Sequence, residues 1–141
     1  MADPADSIPA ETPPPPVVRP AVGNPFVAGI FAWLIPGLGH LYLKRWQRGV
    51  AFLVLIVAAL WVGCTLQGNL YRPVANQPLS VLATLGAMGV GAPYFILRSG
   101  GYAGDIVAPG YEYGTAFLLT AGLMNLLLVL DAWDISRGKK D

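Results

Sequence analysis

The side chains that could take part in chemistry are few, and most of them lie in or beside apolar stretches. They are His40, Asn125 and Asp131, with Asp134 close behind. A histidine paired with an aspartate can relay protons, because the carboxylate holds one imidazole tautomer and raises its basicity. Polar groups inside a membrane are costly to bury, so such residues are candidates for function by default.

No third group completes a reaction centre beside that pair. Nucleophilic catalysis needs a nucleophile within reach of the base, and Cys64 lies inside an apolar segment, where we interpret it as a small apolar side chain. One histidine and one cysteine supply too few ligands for a metal, so we predict no metal and no cofactor. We favour a structural role, in which His40 and Asp131 bond to each other, to a carbonyl freed by Pro36, or to lipid headgroups.

The composition places these groups in a membrane. Of 141 residues, 55% are hydrophobic and 12% are charged, which is far from the mix of a soluble domain. Four stretches contain no Asp, Glu, Lys or Arg: 20–43, 49–71, 73–97 and 113–130. Each is close to the roughly 20 residues that cross a hydrocarbon core, so we predict an all-α integral membrane protein with about four transmembrane segments. A net charge of +1 argues against nucleic-acid binding.

The first segment, from about Phe26 to Leu43, has a broken interior. Pro36 removes a helical hydrogen bond, and Gly37 and Gly39 relax the backbone further. The segment is therefore predicted to be kinked or re-entrant at Pro36-Gly37. A basic turn follows, with rings on either side that suit the membrane interface. Its residues are Tyr42, Lys44, Arg45, Trp46 and Arg48.

The remaining segments are predicted at 49–66, 79–97 and 114–133. The third carries small residues at four-residue spacing, Ala83, Ala87 and Gly91, which let a neighbouring helix approach closely. That neighbour belongs to the same chain or to a second copy. We therefore divide the chain into a disordered Pro-rich tail (1–25), a transmembrane helical domain (26–135) and a basic C-terminal tail (136–141).

The distribution of basic residues does not settle the topology of a four-span chain. Five Lys or Arg fall on one side and four on the other, whether or not the first segment spans. The basic turn at 44–48 and the basic C-terminal tail cannot both be cytoplasmic in that arrangement. We favour a cytoplasmic 44–48 turn.

Two stretches resemble known families. AWLIPGLGHLYLKRWQRGVAFLVL resembles the two-transmembrane domain family, whose Pro-Gly-x-Gly-x-x-Tyr element, charged turn and helix-opening glycine are matched by Pro36, Gly37, Gly39, Tyr42 and Gly49. His40 stands where that family often has glutamine. YEYGTAFLLTAGLMNLLLVLDAWD is similar to the C-terminal signature of an uncharacterised bacterial family of small membrane proteins. The matching positions there are Tyr111, Gly114, Ala121, Gly122, Asn125, Leu126, Asp131 and Ala132.

The resemblance implies a multi-pass protein of the bacterial cytoplasmic membrane with no assigned activity. The sequence favours a non-enzymatic accessory or assembly component, because its specificity lies in helix packing and turn geometry. Its expected partners are the lipid bilayer and either a membrane protein or further copies of itself. The alternative is a small oligomeric transporter or channel with a polar path through His40, Asn125 and Asp131. An enzyme comes third, and it would require a pocket that brings His40 and Asp131 together.

Overall fold

Residues 20–139 form six α-helices and contain no β-strand. The computed structural model describes these residues, so most of the predicted Pro-rich tail lies outside the described part. The helices are α1 (Pro25–Leu34), α2 (Leu38–Tyr42), α3 (Trp46–Thr65), α4 (Pro78–Met88), α5 (Ala92–Ser99) and α6 (Tyr111–Ser136). The all-helical class predicted from the sequence is confirmed for this range.

Two helices, α3 and α6, are long and apolar enough to cross a membrane, which indicates a membrane protein. A third candidate exists if the bent pair of α4 and α5 counts as one span. The predicted four spans are therefore not confirmed. The first segment does not supply a span, because α1 has 10 residues and α2 has five. At about 1.5 Å per residue, neither reaches across a hydrocarbon core.

The first segment forms a hairpin against α6. Its chain starts at the C-terminal end of α6, where the Val22 amide donates to the Ser136 carbonyl at 3.1 Å. Helix α1 ends at Leu34, and Gly37 turns the backbone with a φ of +81°. Helix α2 then runs back along α1, so closely that a Cβ at Gly39 would lie 2.6 Å from the Ala28 carbonyl oxygen. Both ends of the hairpin therefore lie near the same end of α6.

The third predicted segment is also broken, which corrects the expectation of one continuous helix over 79–97. Helices α4 and α5 are bent by 110° at the break between them. Gly91 has a φ of +80° and precedes α5, so it does not continue a helical stripe with Ala83 and Ala87. Pro93 in the first turn of α5 explains the break, because its nitrogen cannot donate to a carbonyl of the preceding turn.

Helix α6 is the centre of the bundle and packs against α1, α3 and α4. Glycines make these contacts close. A Cβ at Gly63 of α3 would lie 2.7 Å from Leu118, and one at Gly122 would overlap the Gly86 carbonyl of α4. Because α3 ends beside the start of α6, these two helices are antiparallel. Close backbone approach through small residues is the usual way in which membrane helices associate.

The chain repeats one pattern twice. Each unit begins with a helix of 10 or 11 residues whose first residue is a proline. A break follows at a glycine with a φ near +80°, and a short helix comes next. A long helix ends the unit, and its first residue is aromatic and its fourth is a glycine. The corresponding residues of the two units are Pro25 and Pro78, Gly37 and Gly91, Trp46 and Tyr111, and Gly49 and Gly114. Since α3 and α6 are antiparallel, the second unit runs in the opposite direction to the first.

Candidate functional site

His40 and Asp131 meet inside the bundle. The Nε2 atom of His40 lies 3.0 Å from Oδ2 of Asp131, which is hydrogen-bond distance. The pairing arises because the turn at Gly37 sends α2 back along α6. The imidazole is fully buried, whereas the aspartate side chain is 28% exposed. The structure therefore brings together the two residues that the sequence identified as a possible pair.

The second nitrogen of the His40 ring faces no polar partner. Its Nδ1 atom is buried and has no hydrogen-bond partner among residues 20–139, and the ring packs edge-on to Phe52 at 5.4 Å. When Nε2 carries the proton and donates to Asp131, Nδ1 presents a lone pair to an apolar surrounding. That nitrogen is a buried acceptor without a partner in the described chain.

Asn125 joins the two helix breaks. Its Nδ2 donates to the carbonyl oxygen of Trp33 at 3.2 Å and to that of Gly89 at 3.0 Å. Both carbonyls lie where a helix stops. In a continuous helix the Gly89 oxygen would accept from residue 93, which is a proline without an amide hydrogen. The Asn125 amide therefore replaces backbone hydrogen bonds that the two breaks remove.

The two breaks are in direct contact beside Asn125. A Cβ at Gly91 would overlap the Trp33 carbonyl, and the Trp33 indole donates to the Met88 carbonyl at 3.3 Å. Asn125 is fully buried, and its Oδ1 has no hydrogen-bond partner within the described chain. Asp131 lies about 9 Å further along the axis of α6. Asn125 and the His40–Asp131 pair are thus two separate polar sites.

The basic turn forms a third site at the surface. Five consecutive residues, Lys44 to Arg48, line a cavity of about 280 Å³. Lys44 and Arg48 are exposed, Arg45 is half-buried, and the Trp46 ring is 66% exposed. Lys44 has a φ of +60°, a left-handed conformation that is uncommon for a lysine.

A model of a family of unknown function, DUF6677, matches residues 27–141. The chain belongs to this family. No curated protein and no solved structure matches it. The DUF6677 match covers the six described helices except the first two residues of α1, so it includes the first hairpin, the bent pair α4–α5, Asn125 and the His40–Asp131 pair.

The remaining motif residues of this DUF6677 chain shape the first hairpin. Pro36 lies in the break after α1 and Tyr42 ends α2, with its ring edge-on to Phe31 at 5.6 Å. A Cβ at Gly37 would overlap the carbonyl of Gly49 at the start of α3. These glycines let α2 and α3 turn back on each other at short distance.

The small residues of α4 have different surroundings. Ala87 is buried in the core beside Ile56 and Ala121, whereas Ala83 is half-buried at the surface of the bundle. The close backbone contact between α4 and α6 falls instead on Gly86 and Gly89. The contacts of this face within residues 20–139 are therefore made with α6 of the same chain.

Sequence reasoning missed two positioning residues. Trp33 contributes both a carbonyl for Asn125 and an indole donor for Met88. The Tyr102 hydroxyl donates to the Gly68 carbonyl at 2.9 Å and ties the loop before α6 to the end of α3. The glycine-rich composition of 98–112 gave no signal for that contact. Residues 20–139 hold no group of three or more His, Cys, Asp or Glu that could bind a metal.

Proposed function

We propose that this DUF6677 protein is a non-enzymatic accessory or assembly component of the bacterial cytoplasmic membrane. The observation that carries the proposal is Asn125, whose amide nitrogen holds the Trp33 and Gly89 carbonyls together. A fully buried polar group of the bundle therefore serves to join the fold. His40 is likewise fully buried and held by Asp131, which favours structural support over turnover of a substrate.

The contacts support a particular multi-pass topology. In it α3 and α6 cross the membrane, while the pair α1–α2 and the pair α4–α5 are re-entrant hairpins that enter from opposite sides. The first hairpin starts and ends near the C-terminal end of α6, through Val22 and His40. The second returns to the opposite end, where Tyr94 donates to the Tyr71 carbonyl. The glycines of the two breaks, Gly37, Gly89 and Gly91, are buried in protein, as irregular backbone at membrane depth must be, whereas Ile35 beside the first break is exposed.

This topology removes the conflict among the basic residues. The end that holds the C-terminus of α6 also holds the 44–48 turn, and it carries five of the described basic residues: Lys44, Arg45, Arg48, Arg137 and Lys139. The opposite end carries two, Arg72 and Arg98. Cytoplasmic loops are enriched in Lys and Arg, so the first end is the cytoplasmic one.

Cysteine labelling in intact cells tests the topology. Cys64 is the single cysteine, so Cys64→Ala gives a background in which Trp46→Cys, Arg72→Cys and Lys139→Cys are introduced one at a time. A membrane-impermeant thiol reagent is expected to label position 72 alone from outside, and all three positions after permeabilisation. A four-span arrangement predicts instead that positions 72 and 139 behave alike. That result would remove the two-hairpin topology.

Purification in a mild detergent tests the accessory role. We expect the native protein to leave its membrane in a complex of fixed stoichiometry, with another membrane protein or with copies of itself. Asn125→Leu, which weakens the junction between the hairpins, should reduce recovery of that complex, whereas Ser99→Ala at an exposed helix end should not. A monomeric protein with no stable partner would contradict the proposal.

A transporter or channel is the second candidate function. It is favoured by the two broken helix pairs that meet inside the bundle, because discontinuous helices from oppositely oriented repeats form the binding sites of many transporters. The buried, unpartnered Oδ1 of Asn125 lies at that junction. Reconstituted liposomes should then show ion or solute flux that is lost in the triple variant His40→Phe, Asn125→Leu, Asp131→Leu. Flux that persists in this variant would exclude a path through these residues.

A further inference from the structure

The cavity at the start of α3 combines positive charge with hydrogen-bond donors. Each of the five residues that line it, from Lys44 to Arg48, has a side-chain N–H group, and none is acidic. Three of them are cationic. The cavity therefore matches an anion that carries several acceptor oxygens.

Backbone groups add to the same field. Helix α3 starts at Trp46, and its N-cap residue, Arg45, makes no side-chain capping hydrogen bond. The first amides of a helix have no partner within it, and the helix dipole gives this end a partial positive charge. The Arg45 amide is already used, since it donates to the His40 carbonyl at 2.8 Å. The amides of the first turn therefore add a partial positive charge beside the basic side chains.

The surroundings point to a lipid as the source of that anion. Trp46, in the cavity wall, exposes 66% of its surface, and Tyr42 before it exposes 41%. Amphipathic rings of this kind favour the headgroup region. Helix α3, whose first three residues line the cavity, has 20 residues and is apolar enough to cross a membrane, so a spanning α3 places the cavity at the depth of the phosphates. Lys44 has a left-handed backbone conformation, which costs a lysine more conformational free energy than it costs Asn or Gly.

We propose that the Lys44–Arg48 cavity binds the phosphodiester headgroup of an anionic phospholipid. Lys44 and Arg45 supply charge and donors, and the Trp46 ring lies beside the glycerol and upper acyl region. The proposal rests on the topology given above, which places this cavity in the cytoplasmic leaflet, where anionic lipids attract basic segments.

Lipid binding to the purified, full-length protein in neutral detergent tests the proposal. Native mass spectrometry with phosphatidylglycerol, phosphatidylcholine and inorganic phosphate gives three affinities for each variant. The test variant is Lys44→Asn with Arg45→Gln, because Asn tolerates the left-handed conformation. The matched control is Arg137→Gln with Lys139→Gln, which removes the same charge from exposed residues at the same end of the bundle.

We expect the native protein to prefer phosphatidylglycerol over phosphatidylcholine by about tenfold or more. Each basic residue near a membrane surface strengthens binding by about fivefold, so the test variant should lose roughly 25-fold in phosphatidylglycerol affinity. The control should retain it. Equal losses in both variants, or no preference between the lipids, would overturn the proposal. Inorganic phosphate binding as tightly as phosphatidylglycerol would overturn the lipid assignment.

The measurement is independent of the topology proposal. Because the lipid is presented in detergent, the preference is expected even if cysteine labelling reverses the two sides. The thermal midpoint of each variant without lipid shows whether it is folded. A test variant with a native midpoint and native lipid affinity would also overturn the proposal.

Discussion

His40 and Asp131 are 91 residues apart in the chain, and their side chains meet at 3.0 Å. This contact fixes α2 against the C-terminal half of α6 and so closes the first hairpin. It explains why a short helix of five residues holds its place after the Pro36-Gly37 break. The pair is therefore a structural contact as well as the pair of side chains that could relay a proton.

A double-mutant cycle should measure this contact directly. We expect His40→Phe and Asp131→Leu to show a coupling free energy of about 1 to 3 kcal/mol, because Asp131→Leu leaves the buried Nε2 of His40 without its hydrogen bond and His40→Phe removes that same bond from the partly exposed Asp131. Denaturant titration in mixed micelles provides the free energies of unfolding. Asp134→Leu is the control, and its effect should add to that of His40→Phe. Additive effects for Asp131 would mean that the hydrogen bond contributes nothing to stability.

Replacing Asn125 should lower the free energy of unfolding more than replacing Ser99 does. Asn125→Leu keeps the branched shape of the side chain but leaves the Trp33 and Gly89 carbonyls without the Asn125 amide in the bundle. We expect a loss of about 1 to 3 kcal/mol in the same titration. Ser99→Ala removes only a local hydroxyl contact at an exposed helix end, so it should change stability by less than about 0.5 kcal/mol. Equal effects of the two substitutions would contradict the bridging role of Asn125.

The helical class, which the sequence predicted, depends on local chemistry, and so does the interruption between α1 and α2. A proline followed by glycines interrupts a helix wherever it occurs, and Pro36 needed no tertiary information. The second break was harder to predict. Pro93 marks it, but the small residues around it also fit a continuous packing stripe, and the local pattern alone does not choose between the two.

The polar pairings depended on long-range geometry. His40 and Asp131 could be named as partners by elimination, since the chain offers few others. The role of Asn125 could not be predicted, because its acceptors are backbone atoms of two distant helix ends. The proposed topology likewise rests on contacts between distant residues, since two re-entrant hairpins, in place of one, change which basic residues share a side of the membrane.

Gly91 and Gly101 share a positive φ but differ in what surrounds them, and Gly91 also has a ψ of −135°, far from the left-handed helical region. Gly91 and Gly101 both have a φ of +80°, but a Cβ at Gly91 would overlap the Trp33 carbonyl, whereas one at Gly101 meets nothing within 4 Å. Gly101→Ala should cost about 1 to 2 kcal/mol from the left-handed conformation alone. Gly91→Ala should cost about 1 to 3 kcal/mol more, because the two hairpins must separate. Comparable unfolding free energies for the two variants would rule out close contact at Gly91.

The loop before α6 should respond to alkaline pH through Tyr102. Burial, followed by the neighbouring Cys64, raises the pKa of Tyr102 from 10.0 to about 12. Its neutral hydroxyl donates to the Gly68 carbonyl, so the folded state retains the proton longer than the unfolded chain. The stability from this group is therefore fully present below pH 10 and is lost as the pH rises toward about 12.

Comparison with Tyr102→Phe isolates that contribution from other groups that titrate in this range. The difference in unfolding free energy between the native protein and Tyr102→Phe should be constant below pH 10 and should shrink between pH 10 and about 12. Tyr113→Phe alters a ring that is 72% exposed, so it should leave the alkaline loss unchanged. A native protein and a Tyr102→Phe variant with parallel pH profiles would show that the Tyr102 hydroxyl does not hold the loop.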